Sequence, residues 1–428
     1  MRISLPQNRW HGDEPVLIDL PDTWQTSVVR MAGDALLPLS NEQIRARIDA
    51  PLGSLPLDQL ARGRKSACIL FDDMSRGTPT IELAHIVLEK LLAAGIPRER
   101  IIFICALGCH GALELDDFVK KLGADICAEY PVYNHNPFGN LVEVGVTSRG
   151  FHAKVNAEVM NYDLKIGLGA IVPHPFNGFG GGAKIILPGI TGLDTSVDNH
   201  RLELPRALHD RDKPYSCSHG NLQYRDVRED AEEVAQLVGL DFKIDVLLNS
   251  NCQIIKLFSG HPITEYYEGV RTAFELYHAD DPGKADICIV NANAKSNESQ
   301  LAFNVGVDHV NTGGDVVLVN FCKTGVVNHY LCGMWGVDNG TKLSGGNKRD
   351  QPLPAAIRRL IIFSPWRQYN HTILYGNPEQ VKWANTWDEV LQMLGSRPAG
   401  TTANVFIEAI TSMNTTSDKR DYLPVNLP

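Results

Sequence analysis

The chain has 428 residues, 43% hydrophobic and 21% charged, which points to a globular protein with more than one core. Its 40 basic residues stand against 50 acidic ones, and the net charge of −10 argues against nucleic acid or an anionic membrane surface as partners. Met1-Arg2-Ile3-Ser4-Leu5 leads straight into polar residues and no long apolar run follows, so neither a signal peptide nor a membrane span is expected; nine cysteines without CxxC pairs read as reduced thiols of a cytoplasmic protein.

In chain order, Arg2–Leu5 and Val16–Asp19 read as short strands, and Ser40-Asn41-Glu42-Gln43 as a helix start with a capping box. Ser66–Phe71 is a compact apolar strand running into Asp72-Asp73-Met74-Ser75-Arg76, and Ile81–Ala94 is an amphipathic helix stopped by Gly95. Ile101–Leu107 is the next strand, ending at Gly108-Cys109-His110-Gly111, and Leu115–Leu122 the next helix. This alternation indicates a parallel sheet with ligands at the carboxyl ends of its strands. Asn161–Val172 adds a further strand. Ser196–Arg228 is polar and reads as irregular. Glu229–Val238 reads as a helix, Lys243–Leu248 and Gln253–Phe258 as strands, and Glu265–Ala279 as a helix broken at Asp280-Asp281-Pro282-Gly283. Alternation then restarts with strand Ala285–Val290, helix Glu298–Val307 and strand Gly314–Val319; Arg359–Phe363, His371–Leu374 and Ala403–Ile407 follow as strands, and Asp388–Leu394 as a helix. The expectation is an α/β protein of two domains, residues 1–280 and 281–428, with mainly parallel sheets and an active site in the cleft between them.

The richest stretch runs from Leu164 to His200. An apolar strand turns at Pro173-His174-Pro175, crosses Gly178, Gly180, Gly181 and Gly182, and meets Lys184. As a Walker A loop it fails, because Ala183 stands where glycine is needed and Ile185 where Ser or Thr would hold magnesium. Gly178-Phe179-Gly180-Gly181-Gly182-Ala183 has the letters of a dinucleotide fingerprint, but Pro173 and Pro175 intervene between strand and turn. A phosphate or nucleotide cradle of another type is the favoured reading. Lys184 beside it suits a phosphate contact or a covalent amine. His110, His174 and His200, each in a loop after an apolar run, suit proton transfer or metal ligation. Asp72 and Arg76, at a strand end, suit hydroxyl and carboxylate recognition.

Together these pieces resemble the LarA family of nickel-pincer nucleotide-dependent 2-hydroxy acid racemases and epimerases. The matching residues are FDDMSRGTP (Phe71–Pro79), ALGCHG (Ala106–Gly111), VTSRG (Val146–Gly150), HPFNGFGGGAKIILPGI (His174–Ile190) and DNH (Asp198–His200). By that resemblance, Lys184 joins the cofactor covalently, His200 is the protein ligand to Ni(II), and Gly180, Gly181 and Gly182 carry the nucleotide phosphate. Asp72 reaches the ribose, His110 and His174 are the paired acid–base residues, and Arg76 and Gln300 bind substrate. It implies an isomerase that moves hydride reversibly between C2 and the cofactor through a 2-keto acid. The cofactor comes from separate synthesis enzymes, so a recombinant sample can lack it. The pattern departs at Gly111, where relatives carry Arg, and in a PxDxxxYQxxK-like motif of which only Gln300 remains: Asn293, Lys295, Ser299 and Phe303 replace the rest. The lost lysine at Phe303 and the small Ser299 suggest a substrate other than lactate, a larger hydroxy acid such as a sugar acid. The competing readings are an NAD(P)-dependent oxidoreductase using the glycine turn, and a non-catalytic homologue that binds the nucleotide.

Overall fold

The computed structural model describes residues 1–8, 10, 14–175, 177–202, 220, 222, 225–331, 351–368 and 374–412. Two six-stranded sheets organise it. In the first, the strands lie in the order Ile254–Gly260, Phe242–Leu248, Leu164–Ala170, Ala67–Phe71, Ile101–Cys105 and Val132–Asn134. All neighbours are parallel except the edge strand Ile254–Gly260. Side chains alternate between two covered faces: Ala67, Ile69 and Phe71 join one core, Cys68 and Leu70 another. With both faces buried, the strand reads as an unbroken apolar run.

The second sheet has the order Val381–Ala384, Ile357–Phe363, Val310–Val319, Ala285–Asn291, Thr402–Phe406 and Gln25–Val29, every pair parallel. The mainly parallel α/β class expected from the sequence is thus the observed one. The break at Asp280–Gly283 separates the two sheets along the chain, but the amino-terminal segment crosses it. Gln25–Val29 pairs with Thr402–Phe406, and Ile3, Leu5 and Ile18 pack on the second core. Gln-Thr-Ser-Val-Val carries no local sign of that partner, because the pairing spans almost the whole chain.

The capping box at Ser40 is present: its Oγ accepts from the Gln43 N–H at 3.3 Å, and Gln43 Oε1 accepts from the Ser40 N–H at 2.9 Å. Ser196–Arg228, expected to be irregular, instead contains the helix Leu193–Arg201 and the start of the helix Asp226–Val238. The first of these escapes an apolar-period search because its buried positions are largely Thr195, Ser196 and Asn199. Asn199 donates to the Val227 carbonyl at 3.0 Å and to Asp230 at 2.9 Å, so side-chain hydrogen bonds do what apolar burial usually does. Of the expected strand His371–Leu374, residues 371–373 lie outside the described residues. Among the described residues, no helix is long and apolar enough to cross a membrane.

Candidate active site

In the first sheet, the strand after Ala67–Phe71 lies on one side of it and Leu164–Ala170 on the other, so loops leaving these strands diverge and open a crevice. The crevice holds about 1130 Å³ of empty space, its open mouth included. Asp72, Arg76, His110, His174, Gly180, Gly181, Lys184, His200 and Gln300 all line it. Lys295, Glu298 and His329, which follow strands of the second sheet, complete the wall.

The loop after Phe71 carries the main surprise. Asp73, not singled out in the sequence, bonds His110 Nδ1 through Oδ2 at 2.5 Å, while its Oδ1 accepts from the Ser75 N–H at 3.0 Å. Burial works against the Asp73 charge, but the His110 imidazole and Arg76 hold its carboxyl below the usual carboxylate range. A carboxylate accepting at Nδ1 places the other ring nitrogen toward the cavity as the proton-transfer atom. The neighbouring Asp72 is spoken for differently. Its oxygens bind the fully buried Lys121 ammonium at 2.6 Å and the Thr78 hydroxyl, and Lys121 also donates to the Arg76 and Thr78 carbonyls. This pair pins the loop that carries Arg76.

His110 is held from the second sheet's side as well. Its ring meets His329 edge-on at 4.9 Å, the Gly111 N–H donates to the Asn328 carbonyl at 2.9 Å, and the Tyr330 N–H donates to the Cys109 carbonyl at 2.8 Å. A Cβ at Gly111 would stand 3.3 Å from that of Asn328, so the close backbone pairing favours glycine here. Burial, then the nearby His110, depress His329 to about 3.

The glycine stretch is a hairpin, not a loop entering a long helix. Pro173–His174 pairs antiparallel with Gly178–Phe179, and a short 3-10 helix, Gly182–Ile185, follows with Lys184 in it. Behind the turn, buried Arg228 donates to the Phe179 and Gly181 carbonyls, and Asp245 accepts from the Gly182 N–H at 2.5 Å. Gly182 therefore anchors the turn instead of lining the cavity, as had been expected of it. Its φ is +55°, and a Cβ there would lie 2.8 Å from the Tyr266 ring. Gly180 faces only ordinary contacts, the nearest at 3.5 Å. Gly182→Ala is expected to destabilise the fold by about 1–3 kcal/mol in denaturant titration, against a few tenths for Gly180→Ala.

Burial foremost, then the charges of Arg228, Arg76 and Lys295, push the Lys184 amine well below the ordinary lysine range. Burial, then the charges of Lys184, Lys295 and Arg76, drives His174 well below the ordinary histidine value. His200 projects from the Leu193–Arg201 helix with its Nδ1 on the Ser196 carbonyl at 2.8 Å, which favours the tautomer with a lone pair on Nε2. Burial and Lys184 lower it to about 3, so it is a neutral imidazole at neutral pH. Among the described residues, no group of three or more His, Cys, Asp or Glu is placed to hold a metal by itself.

The departures in the second half turn inward. Phe303 packs edge-on against Tyr375 at 5.1 Å in the core, and the Ser299 hydroxyl lies 2.7 Å from the Tyr375 hydroxyl. Neither is among the cavity-lining residues, so Ser299 does not enlarge the cavity as its size had suggested.

A family model described as the lactate racemase N-terminal domain matches residues 11–209. The lactate racemase of Thermoanaerobacterium thermosaccharolyticum is 25% identical over 324 residues, 74% of each chain. That of Lactiplantibacillus plantarum is 31% identical over 221 residues, covering 51% of this chain and 50% of its own. Among solved structures, the T. thermosaccharolyticum lactate racemase apoprotein superposes with a TM-score of 0.71 at 21% identity, covering 97% of this chain and 100% of its own. A Thermotoga maritima protein gives 0.63 at 14% identity, with coverages of 90% and 99%. The sequence motifs, the family model over residues 11–209 and the fold thus agree in their likeness to the lactate racemases.

Proposed function

We propose that this protein is a racemase or epimerase of 2-hydroxy acids other than lactate, working through a nickel-pincer nucleotide attached to Lys184. The observation that carries this reading is a single cavity lined by Lys184, His200, His110 and His174. These residues fit the cofactor. A buried amine held toward its neutral form suits covalent attachment. One neutral imidazole, with no group of three or more His, Cys, Asp or Glu placed to hold a metal among the described residues, suits a nickel ion whose remaining donors would come from the bound group. Gly180 and Gly181 present bare backbone to a phosphate, and a Cβ at Gly181 would meet Ile171 and Asp245 within 3 Å. When bound, the cofactor supplies a hydride acceptor, which lets the C2 hydrogen leave with its electron pair and spares the substrate a carbanion beside its own carboxylate.

The chain's residues do the rest. Arg76 and Gln300 hold the acid. His110, oriented by Asp73, takes the hydroxyl proton of one enantiomer, and His174 that of the other. When the 2-keto acid is reduced on the opposite face, the other histidine, protonated beforehand, gives its proton to the new hydroxyl, and imidazole suits both roles. The cofactor-synthesis enzymes are the expected source of the nucleotide, and the free thiols of the described cysteines suit a cytoplasmic setting.

A nicotinamide dinucleotide site needs a strand that runs into the glycine turn and a helix that leaves it. Here a hairpin precedes the turn and a four-residue 3-10 helix follows, which disfavours that reading. A non-catalytic nucleotide carrier would have no use for the Asp73–His110 pair. Inversion of a hydroxy acid by the nickel-loaded enzyme in D2O tests the proposal. The inverted product is expected to keep its C2 protium; solvent deuterium at C2 would exclude hydride transfer.

A further inference from the structure

Opposite His110 the cavity holds three charged side chains that no step above has used together. Glu298 bonds Lys295 at 2.9 Å and Arg76 at 3.3 Å, with side-chain exposures of 15%, 3% and 15% respectively. Lys295 and Glu298 belong to a 3-10 segment, Asn293–Glu298, in which residues three apart eclipse each other, and a kink at Lys295 (φ −126°, ψ 43°) interrupts it. Both side chains thereby face the same wall, and Arg76 meets them from the other sheet.

We propose that Glu298, held between Arg76 and Lys295, is the specificity-determining residue of this cavity and selects 2-hydroxy monocarboxylates bearing a further hydroxyl beyond C2. The inference rests on the racemase reading for its substrate's C2 hydroxyl, and on the charge count for the rest. Within this triad two cations and one carboxylate leave one positive charge, the nearby Asp73 carboxylate being engaged by His110 and Ser75, and a single substrate carboxylate neutralises it. A second carboxylate would meet Glu298 and be repelled. A carboxylate has about four acceptor directions, and Lys295 and Arg76 occupy only part of them. A hydroxyl can donate to the remainder; the methyl group of lactate cannot. Lys295 also restores a cation to a segment whose expected lysine has become the core residue Phe303. Because Glu298 already has two partners, an acid lacking the hydroxyl does not strand a buried charge, so discrimination is moderate instead of absolute.

The test uses cofactor-loaded protein, wild type and the variants Glu298→Gln and Glu298→Asp. Lactate, 2,3-dihydroxypropanoate, four- to six-carbon aldonates and malate are compared by calorimetric binding and by chiral analysis of inversion. Wild type is expected to favour the polyhydroxy acids over lactate and malate by about tenfold or more, the worth of one hydrogen bond to a charged group. Glu298→Gln is expected to lose about that tenfold on polyhydroxy acids, alter lactate little, and gain affinity for malate. Glu298→Asp keeps the charge but withdraws it, so it should lose hydroxyl selectivity and still reject malate. Equal losses on every acid would reduce Glu298 to a structural ion pair and overturn the proposal, as would a wild-type preference for lactate or malate. Selective binding that depends on Glu298, with no inversion of any acid, would support the proposal and defeat the racemase reading.

Discussion

Lys184→Ala is expected to yield a folded protein that acquires neither nucleotide nor nickel and inverts no hydroxy acid. The side chain projects from a short 3-10 turn whose backbone is fixed from behind by Arg228 and Asp245, so removing it should leave the turn in place. What it removes is an amine that burial and three neighbouring cations, Arg228, Arg76 and Lys295, hold toward the neutral, nucleophilic form. Intact-mass measurement after co-production with cofactor-synthesis enzymes is the direct check: an adduct and nickel in wild type, neither in the variant. An independent check needs no cofactor. The cofactor-free protein should react with a small amine-directed reagent at Lys184 near neutral pH ahead of its surface lysines, as peptide mapping would show. An adduct of unchanged size on the alanine variant would remove Lys184 from the mechanism.

His110→Ala, His174→Ala and Asp73→Asn are each expected to slow inversion by about 10²- to 10⁴-fold, the usual worth of a positioned acid–base group or of the carboxylate that orients it. Inversion needs a proton acceptor on each face of C2, so losing either histidine stops it in both directions. Asp73→Asn should lower kcat with little change in KM, because asparagine keeps the shape but can donate to Nδ1 and so select the wrong tautomer. The pH dependence carries a definite sign. His174 is driven below its ordinary value of 6.5 by burial and by Lys184, Lys295 and Arg76, so it stays unprotonated to lower pH than a free imidazole. In the direction in which His174 takes the hydroxyl proton, the acid limb of kcat/KM should therefore fall below pH 6.5. Asp73, held below the usual carboxylate range by His110 and Arg76, remains ionised across that range and should contribute no limb of its own. An acid limb at or above the ordinary histidine value in that direction, or full activity in Asp73→Asn, would contradict this assignment.

The reach of sequence reading can be judged residue by residue. His110, His174 and Lys184 were legible because each follows an apolar run that ends in a turn, where α/β proteins expose side chains to ligands, whereas His200, expected in a loop, lies on the helix Leu193–Arg201. Asp73 was passed over for Asp72: two adjacent carboxylates at a strand end point in different directions, and only the fold shows which one meets His110 and which one Lys121. Arg228 was lost at the end of a segment read as irregular, because the helix that carries it starts at Asp226, three residues before the expected Glu229. Lys295 was visible as a departure from a motif, but its partnership with Glu298 and Arg76 was not.

Taken alone, the order of residues determined the alternation of strands and helices, the mainly parallel sheets and the turns from which chemistry would come. These follow from period, turn residues and apolar runs, all of which act over a few neighbours. Tertiary structure decided which ends meet. It returned Gln25–Val29 to the second sheet, set Asp73 against His110, laid Asn328–Tyr330 along Cys109–Gly111, and closed Arg76 onto Glu298 and Lys295. Those contacts join residues from 37 to several hundred positions apart, and no local preference encodes them; they exist because two sheets must each bury both faces, and the strand ends left between them have only one another to face.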